Sequence, residues 1–191
     1  KIISGLKSVA RESTNEPYES IKIKSLVKDA LELASERYGA FGIDLRTDPI
    51  DPELEINCRP TQILQVLVNL LNNAFDAVIE SKIRWVYFEV DVIGEYFEFA
   101  VNDSGEGVPE KIREQVMDPF FTTKPLGKGT GLGLSISKTI AESHLGSLKI
   151  DCDALQTRFV LRLPADRPKK TEILKTNIKS TIISPEMISY L

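Results

Sequence analysis

The chain has 191 residues, a net charge of −4 and a pI near 5.2, a balance that argues against nucleic acid or an acidic membrane surface as partner. With 42% hydrophobic and 27% charged residues, it is long enough for one α/β domain with a real core and some appendages. Cys58 and Cys152 stand far apart, which excludes a disulfide framework or zinc site and implies a reducing compartment. No apolar run reaches the ~18 residues of a membrane span and no signal peptide is visible, so the cytoplasm is expected, with any membrane anchor elsewhere in a parent protein.

Residues 1–16 place Ile2, Ile3, Leu6 and Val9 on one side, as at the end of an amphipathic helix too short to stand alone. The chain starts at Lys1 without methionine and reads as a fragment. Pro17 breaks that pattern, Ser20 to Lys24 alternates like a strand, and Ser25 is placed to cap a helix running to about Tyr38. Leu26, Val27, Ala30, Leu31 and Ala34 face inward on it, and Gly39 and Gly42 close it. Ile43 to Thr47 and Leu54 to Cys58 are short strands split by the turn-rich residues 48–52. A long helix covers Thr61 to Glu80, and Trp85 to Val92 with Tyr96 to Asn102 form a hairpin around Ile93-Gly94-Glu95. Lys111 to Met117 reads as a short helix, Leu132 to Glu142 as a firmer one, and Ser147 to Asp151 and Arg158 to Leu163 as closing strands. The expected organisation is a helix end (1–16), one domain (17–164) and a tail or linker (165–191). The order of elements predicts an α/β (α+β) two-layer sandwich, a mixed sheet with one helix layer, and lacks the alternation of a doubly wound parallel fold.

The long helix carries two stripes. Ile63, Leu67, Leu70, Ala74 and Val78 make an apolar face. Gln62, Asn69, Asn73, Asp76 and Glu80 follow the same step beside it, at the edge of the core rather than on the far solvent side. Asparagine competes for backbone groups inside a helix, and Asn69, Asn72 and Asn73 would each cost about 0.5 kcal/mol relative to alanine. A local rule broken repeatedly without a compensating cap suggests a site, and amide oxygens on one helix face suit a hard cation such as Mg²⁺. A solvated polar seam is the other reading of this helix alone.

Downstream, Asp103-Ser104-Gly105-Glu106-Gly107 leaves a strand. It is either an ordinary surface turn or a place where a carboxylate accepts from an adenine amino group while glycines let backbone approach a flat ring. The run from Asp118 to Leu134 is more distinctive. Gly127, Gly129, Gly131 and Gly133 alternate into the start of a helix, where backbone amides attract anions, and Lys124 and Lys128 add charge against a polyphosphate. Neither the P-loop nor the dinucleotide fingerprint fits this spacing.

Together these stretches resemble the catalytic domain of sensor histidine kinases, in the family that includes gyrase, Hsp90 and MutL. Asn69-x-x-x-Asn73-Ala74 looks like the N box, Asp103 to Gly107 the G1 box, Phe120-Phe121 the F box, and Gly129-Thr130-Gly131-Leu132-Gly133-Leu134 the G2 box. Pro119 to Ser137 is most similar to kinases with PAS-type or nitrogen-regulation sensors. The resemblance covers roughly residues 18–164 and implies a Bergerat-type ATP-binding fold with residues 105–131 as a lid. It implies ATP and Mg²⁺ as cofactors, with Asn73 on the metal and Asn69 supporting the metal–phosphate end. Asp103 would read adenine, with Thr157 beneath it. Gly105, Gly107, Phe120, Thr122, Thr123, Gly127, Gly129, Thr130, Gly131, Leu132, Gly133 and Leu134 would shape the lid and its phosphate contacts. Asp76 stands where many relatives carry a basic residue, so Lys124 and Lys128 would meet the phosphates instead.

Asn69 separates function classes. The family's ATPases usually carry glutamate there, and an amide cannot take a proton at neutral pH. The expectation is therefore a kinase that transfers phosphoryl to a histidine, with Asn69, Asn73 and Lys124 at the reacting end. An ATPase of the same fold and a non-catalytic nucleotide-sensing scaffold remain the alternatives. Implied partners are the protein's own dimerisation and phosphoacceptor helices, in a homodimer of the full-length protein, and a cognate response regulator. Residues 1–16 resemble the close of the second dimerisation helix. His144, the only histidine, resembles a helix-end residue of the family with Leu145 in place of a glycine, and reads as structural.

Overall fold

The computed structural model describes residues 16–125, 129–151 and 156–165. The expectations for the helix end before residue 16, for Gly127, Lys128 and Cys152, and for the tail beyond Ala165 lie outside them. Among the described residues, seven strands and three α-helices follow one another as β1 (Glu19–Lys22), α1 (Ile23–Ala40), β2 (Asp44–Thr47), β3 (Glu55–Cys58), α2 (Pro60–Val78), β4 (Trp85–Ile93), β5 (Tyr96–Asp103), α3 (Gly133–Ser143), β6 (Ser147–Ile150) and β7 (Thr157–Pro164).

Strands β2-β4-β5-β7-β6 form a five-stranded sheet, parallel between β2 and β4 and antiparallel elsewhere, while β1 and β3 pair antiparallel in a separate ribbon. Period-two alternation sends Val86, Phe88, Phe97, Phe99, Val101, Phe159, Leu161 and Leu163 to one face, where the helices cover them. The opposite face carries Glu98 against Arg162 on the neighbouring strand, and Glu89 reaching Arg158 across β5, ion pairs that suit water. The expected mixed sheet with one helix layer is what forms. On α2, Ile63, Leu67, Leu70, Ala74 and Val78 are all buried, as the periodicity requires.

Two local expectations are corrected. Helix α1 begins at Ile23, so Ser25 lies in its first turn and caps nothing; the Ile23 N–H is bound by the Leu54 carbonyl at 2.9 Å, a partner that a neighbouring strand supplies. The segment after Pro109 is a 3₁₀ turn, Glu110–Ile112, followed by irregular turns in place of a helix from Lys111 to Met117. One i→i−4 bond, Val116 N to Ile112 O, survives there; Pro119 ends the segment before a helix could repay its nucleation.

The two helices that carry the polar motifs are tied at their far ends. Arg59, the residue before α2, offers no side-chain cap; instead Glu16 Oε1 accepts the Thr61 N–H at 2.8 Å, and His144 Nε2 accepts the Arg59 N–H at 3.1 Å. Tyr18 packs its ring on His144 and donates its hydroxyl to the Ser143 carbonyl.

Candidate nucleotide site

A cleft of about 1000 Å³ opens between α2, the end of β5, the segment from Gly107 to Lys124, and the start of α3. Its floor at one end is Asp103, 1% exposed at the last position of β5. Burial pushes this carboxyl up to about 6, against the pull of the Gly105 N–H at 2.9 Å and the Thr157 hydroxyl. Thr157 faces Asp103 across the β5–β7 ladder and is itself buried. A side chain at position 105 would strike Asp103 Oδ1 at 2.7 Å and Ala77 at 3.2 Å, so glycine is required for the close turn. Ser104 pins that turn, accepting from Trp85 N–H and donating to the Ile83 carbonyl.

At the other end the polar stripe of α2 turns Asn69, Asn73 and Asp76 into the cleft, and Glu80 lines it from the turn after the helix, which ends at Val78 rather than at Glu80. Gln62, the first member of the stripe, is buried near the helix start and does not line it. Asn69 Nδ2 donates to Ser137 Oγ at 3.0 Å, and its Oδ1 lies so close to Gly133 that any Cβ there would collide with it. Gly133 thus lets α3 cross α2 at the asparagine. Lys124 Nζ reaches Asp76 Oδ2 at 2.5 Å and Asn73 Oδ1 at 3.4 Å, so the donor set around Asn73 already holds a cation. Among the described residues no cluster of His, Cys, Asp and Glu could hold a metal by itself, so a metal here would have to share its shell with phosphates.

Of the residues singled out from sequence, Asn69, Asn73, Asp103, Gly107, Thr122, Thr123, Lys124, Gly129, Thr130, Gly131, Gly133, Leu134 and Thr157 line the cleft. Gly105 sits just behind it and Leu132 precedes α3 without lining it. Phe120 does not line it either: its φ of 69° turns the side chain outward, 66% exposed, and Phe121 lines the wall instead. Its N–H is fixed to the Gly131 carbonyl at 2.8 Å, and Gly131, at φ 66°, has no space for a Cβ against the Phe120 backbone. Ala77, Val108, Pro109, Ile112, Val116 and Phe159 complete the apolar lining. Ala77 continues the seam of α2 one turn past Asn73, a signal available in the sequence; the others have none. Arg37, which no sequence pattern marks, also bears on this end of the cleft. From α1 it binds Asn72 Oδ1 and Asp76 Oδ1 while lying 3.7 Å over the Phe75 ring.

His144 is buried with Nε2 accepting from Arg59 and Nδ1 2.8 Å from the Ile140 carbonyl, which makes it a neutral structural imidazole. Leu145 takes φ 62°, the left-handed turn that ends α3.

A family model described as histidine kinase-, DNA gyrase B- and HSP90-like ATPase matches residues 58–167, and the chain belongs to that family. It is 34% identical over 165 residues to the C4-dicarboxylate transport sensor protein DctB of Pseudomonas aeruginosa, covering 85% of this chain and 26% of that protein. To sporulation kinase A of Bacillus subtilis it is 33% identical over 154 residues, covering 78% and 24%. The chain therefore spans about a quarter of the length of these curated relatives. Among solved structures, the catalytic domain of histidine kinase ThkA matches with a TM-score of 0.70 at 29% identity, covering 78% of this chain and 95% of that one. The expected Bergerat-type fold is thus the fold of the chain and of its histidine kinase neighbours.

Proposed function

We propose that this segment is the ATP-binding catalytic domain of a two-component sensor histidine kinase. The observation that carries the reading is the buried Asp103 carboxylate, alone at the floor of a cleft whose opposite end is lined by Asn69, Asn73 and the glycine turn into α3. A carboxylate accepts from the adenine amino group there, and Thr157 holds it in place. Asn73 would hold Mg²⁺ through Oδ1, with Asn69 supporting that end, and the ion would supply positive charge against the phosphates. Gly129, Thr130, Gly131 and the first amides of α3 would face the phosphates, and Lys124 would add charge to the transferred group.

Asn69 is an amide fixed by Ser137, so this position supplies no base to activate water. Transfer then depends on an incoming imidazole: its nitrogen attacks the γ-phosphorus, the bond to the bridging oxygen breaks, and ADP departs with that electron pair. His144 is the chain's only histidine, and both its ring nitrogens are engaged in the fold, so we infer an acceptor outside this chain; the resemblance to sensor kinases implies that a dimerisation helix of a homodimer carries it. A response regulator would take the phosphoryl next. A solved complex of histidine kinase ThkA with response regulator protein TrrA shares this fold at 24% identity. No helix among the described residues is long and apolar enough to cross a membrane, and we place this domain in the cytoplasm.

Incubation with γ-labelled ATP tests the proposal, with the chain alone and with a separately supplied acceptor-helix fragment. Label is expected on the fragment and none on this chain. Acid-labile label on this chain that disappears in His144→Gln would overturn the assignment.

A further inference from the structure

A carboxylate is an unexpected neighbour for polyphosphate, yet Asp76 lines the same end of the cleft as Asn69 and Asn73. Its two oxygens have different partners. Oδ1 is bound by Arg37 at 3.3 Å, and that guanidinium is anchored over the buried Phe75 ring and on Asn72. Oδ2 points into the cleft and meets Lys124 Nζ at 2.5 Å. Residues 73 and 76 are neighbours on one helix face, and the same ammonium lies 3.4 Å from Asn73 Oδ1. The two oxygens converge on one point, and a positive charge stands there.

A magnesium ion on Asn73 would sit about 2.0–2.1 Å from that oxygen with a full octahedral shell. An ammonium held where Lys124 now lies would intrude into that shell and repel the dication. The two cations therefore exclude each other. Either one shields from the phosphates the Asp76 Oδ2 charge that Arg37, bound at Oδ1, leaves facing the cleft.

We propose that Asn73 and Asp76 form a single cation pocket which Lys124 fills as a tethered ammonium, and that metal–nucleotide binding exchanges this ammonium for the divalent ion. The inference rests on the reading of Asn73 as the metal-facing residue. The exchange frees Lys124 for the phosphates and couples its loop to metal arrival, while Arg37 holds Asp76 in place before and after.

The test uses Mn²⁺ alone, without nucleotide, on the full chain. Paramagnetic broadening of the Asn73 and Asp76 backbone amide resonances reads occupancy. Lys124→Met, with Lys124→Gln as a second uncharged variant, is expected to bind Mn²⁺ at least tenfold more tightly than the unsubstituted chain. Adding Asp76→Asn should abolish the gain, and thermal melts identify any variant that fails to fold. Equal Mn²⁺ affinity with and without the lysine, or a gain that survives Asp76→Asn, overturns the pocket. ADP binding is measured in parallel. A chain that binds ADP without the Mn²⁺ gain loses only this inference; one that shows the gain but binds no adenine nucleotide loses the nucleotide reading and keeps the pocket.

Discussion

Asp103 shows how one residue sets function against stability. Its carboxyl is raised from 3.8 to about 6 by burial, so between those values the folded state holds more protons than the unfolded state. Stability from this group is therefore fully present below about 4, falls as pH rises through about 6, and then levels off. A shift of about two units corresponds to ~3 kcal/mol against the ionised fold at neutral pH. Asp103→Asn, which keeps an oxygen for the Gly105 N–H, is expected to be more stable by about 1–3 kcal/mol at pH 7, with the gain vanishing near pH 4. Denaturant unfolding at the two pH values checks this. Nucleoside binding should run the other way, since adenine needs the ionised acceptor. Adenosine, free of phosphates that titrate near 6, should lose affinity as pH falls below 6, and NMR titration against pH would show it. A flat profile would remove Asp103 from the adenine contact.

Helix ends and crossings carry the next level. At the end of α3, Gly146 N–H binds the Ala141 carbonyl and Leu145 N–H the Glu142 carbonyl, a closure that places Leu145 in the left-handed region at φ 62°. A non-glycine residue there costs about 1–2 kcal/mol, partly offset by glycine's looser unfolded chain. Leu145→Gly should therefore stabilise the domain by about 0.5–1 kcal/mol in thermal or denaturant unfolding, since the side chain is 45% exposed and contributes little burial. Gly133→Ala acts on the other end of the same helix by driving a methyl into Asn69 Oδ1. It is expected to weaken Mg²⁺-nucleotide binding at least tenfold, and titration calorimetry reads the loss.

The alternations of β4, β5 and β7 and the double stripe of α2 were legible because each repeats a local period against one buried face. What sequence could not supply were partners brought in from a distance: Leu54 replacing Ser25 as the cap of α1, Glu16 capping α2, and Arg37 and Lys124 sharing Asp76. Which of two adjacent phenylalanines faces the cleft depends on one positive φ at Phe120, and no composition rule reports it.

Over the whole molecule, the cleft joins elements far apart in sequence, from α2 through β5 and α3 to β7, so a ligand there binds the folded chain alone. At about 100 times Kd that adds ~2.7 kcal/mol, a rise of roughly 5–10 °C in Tm that should need Mg²⁺ for its full size. Base identity tests the central claim most directly. Titration calorimetry should compare Mg²⁺·ADP with Mg²⁺·GDP. Adenine presents an amino donor to Asp103, whereas guanine presents a carbonyl oxygen to the same buried carboxylate and leaves the acceptor position that Gly105 and Thr157 do not fill unpaired, a loss of about 1–3 kcal/mol. The account predicts ADP binding at least about fivefold tighter than GDP; equal affinities, or no binding of either, would contradict it.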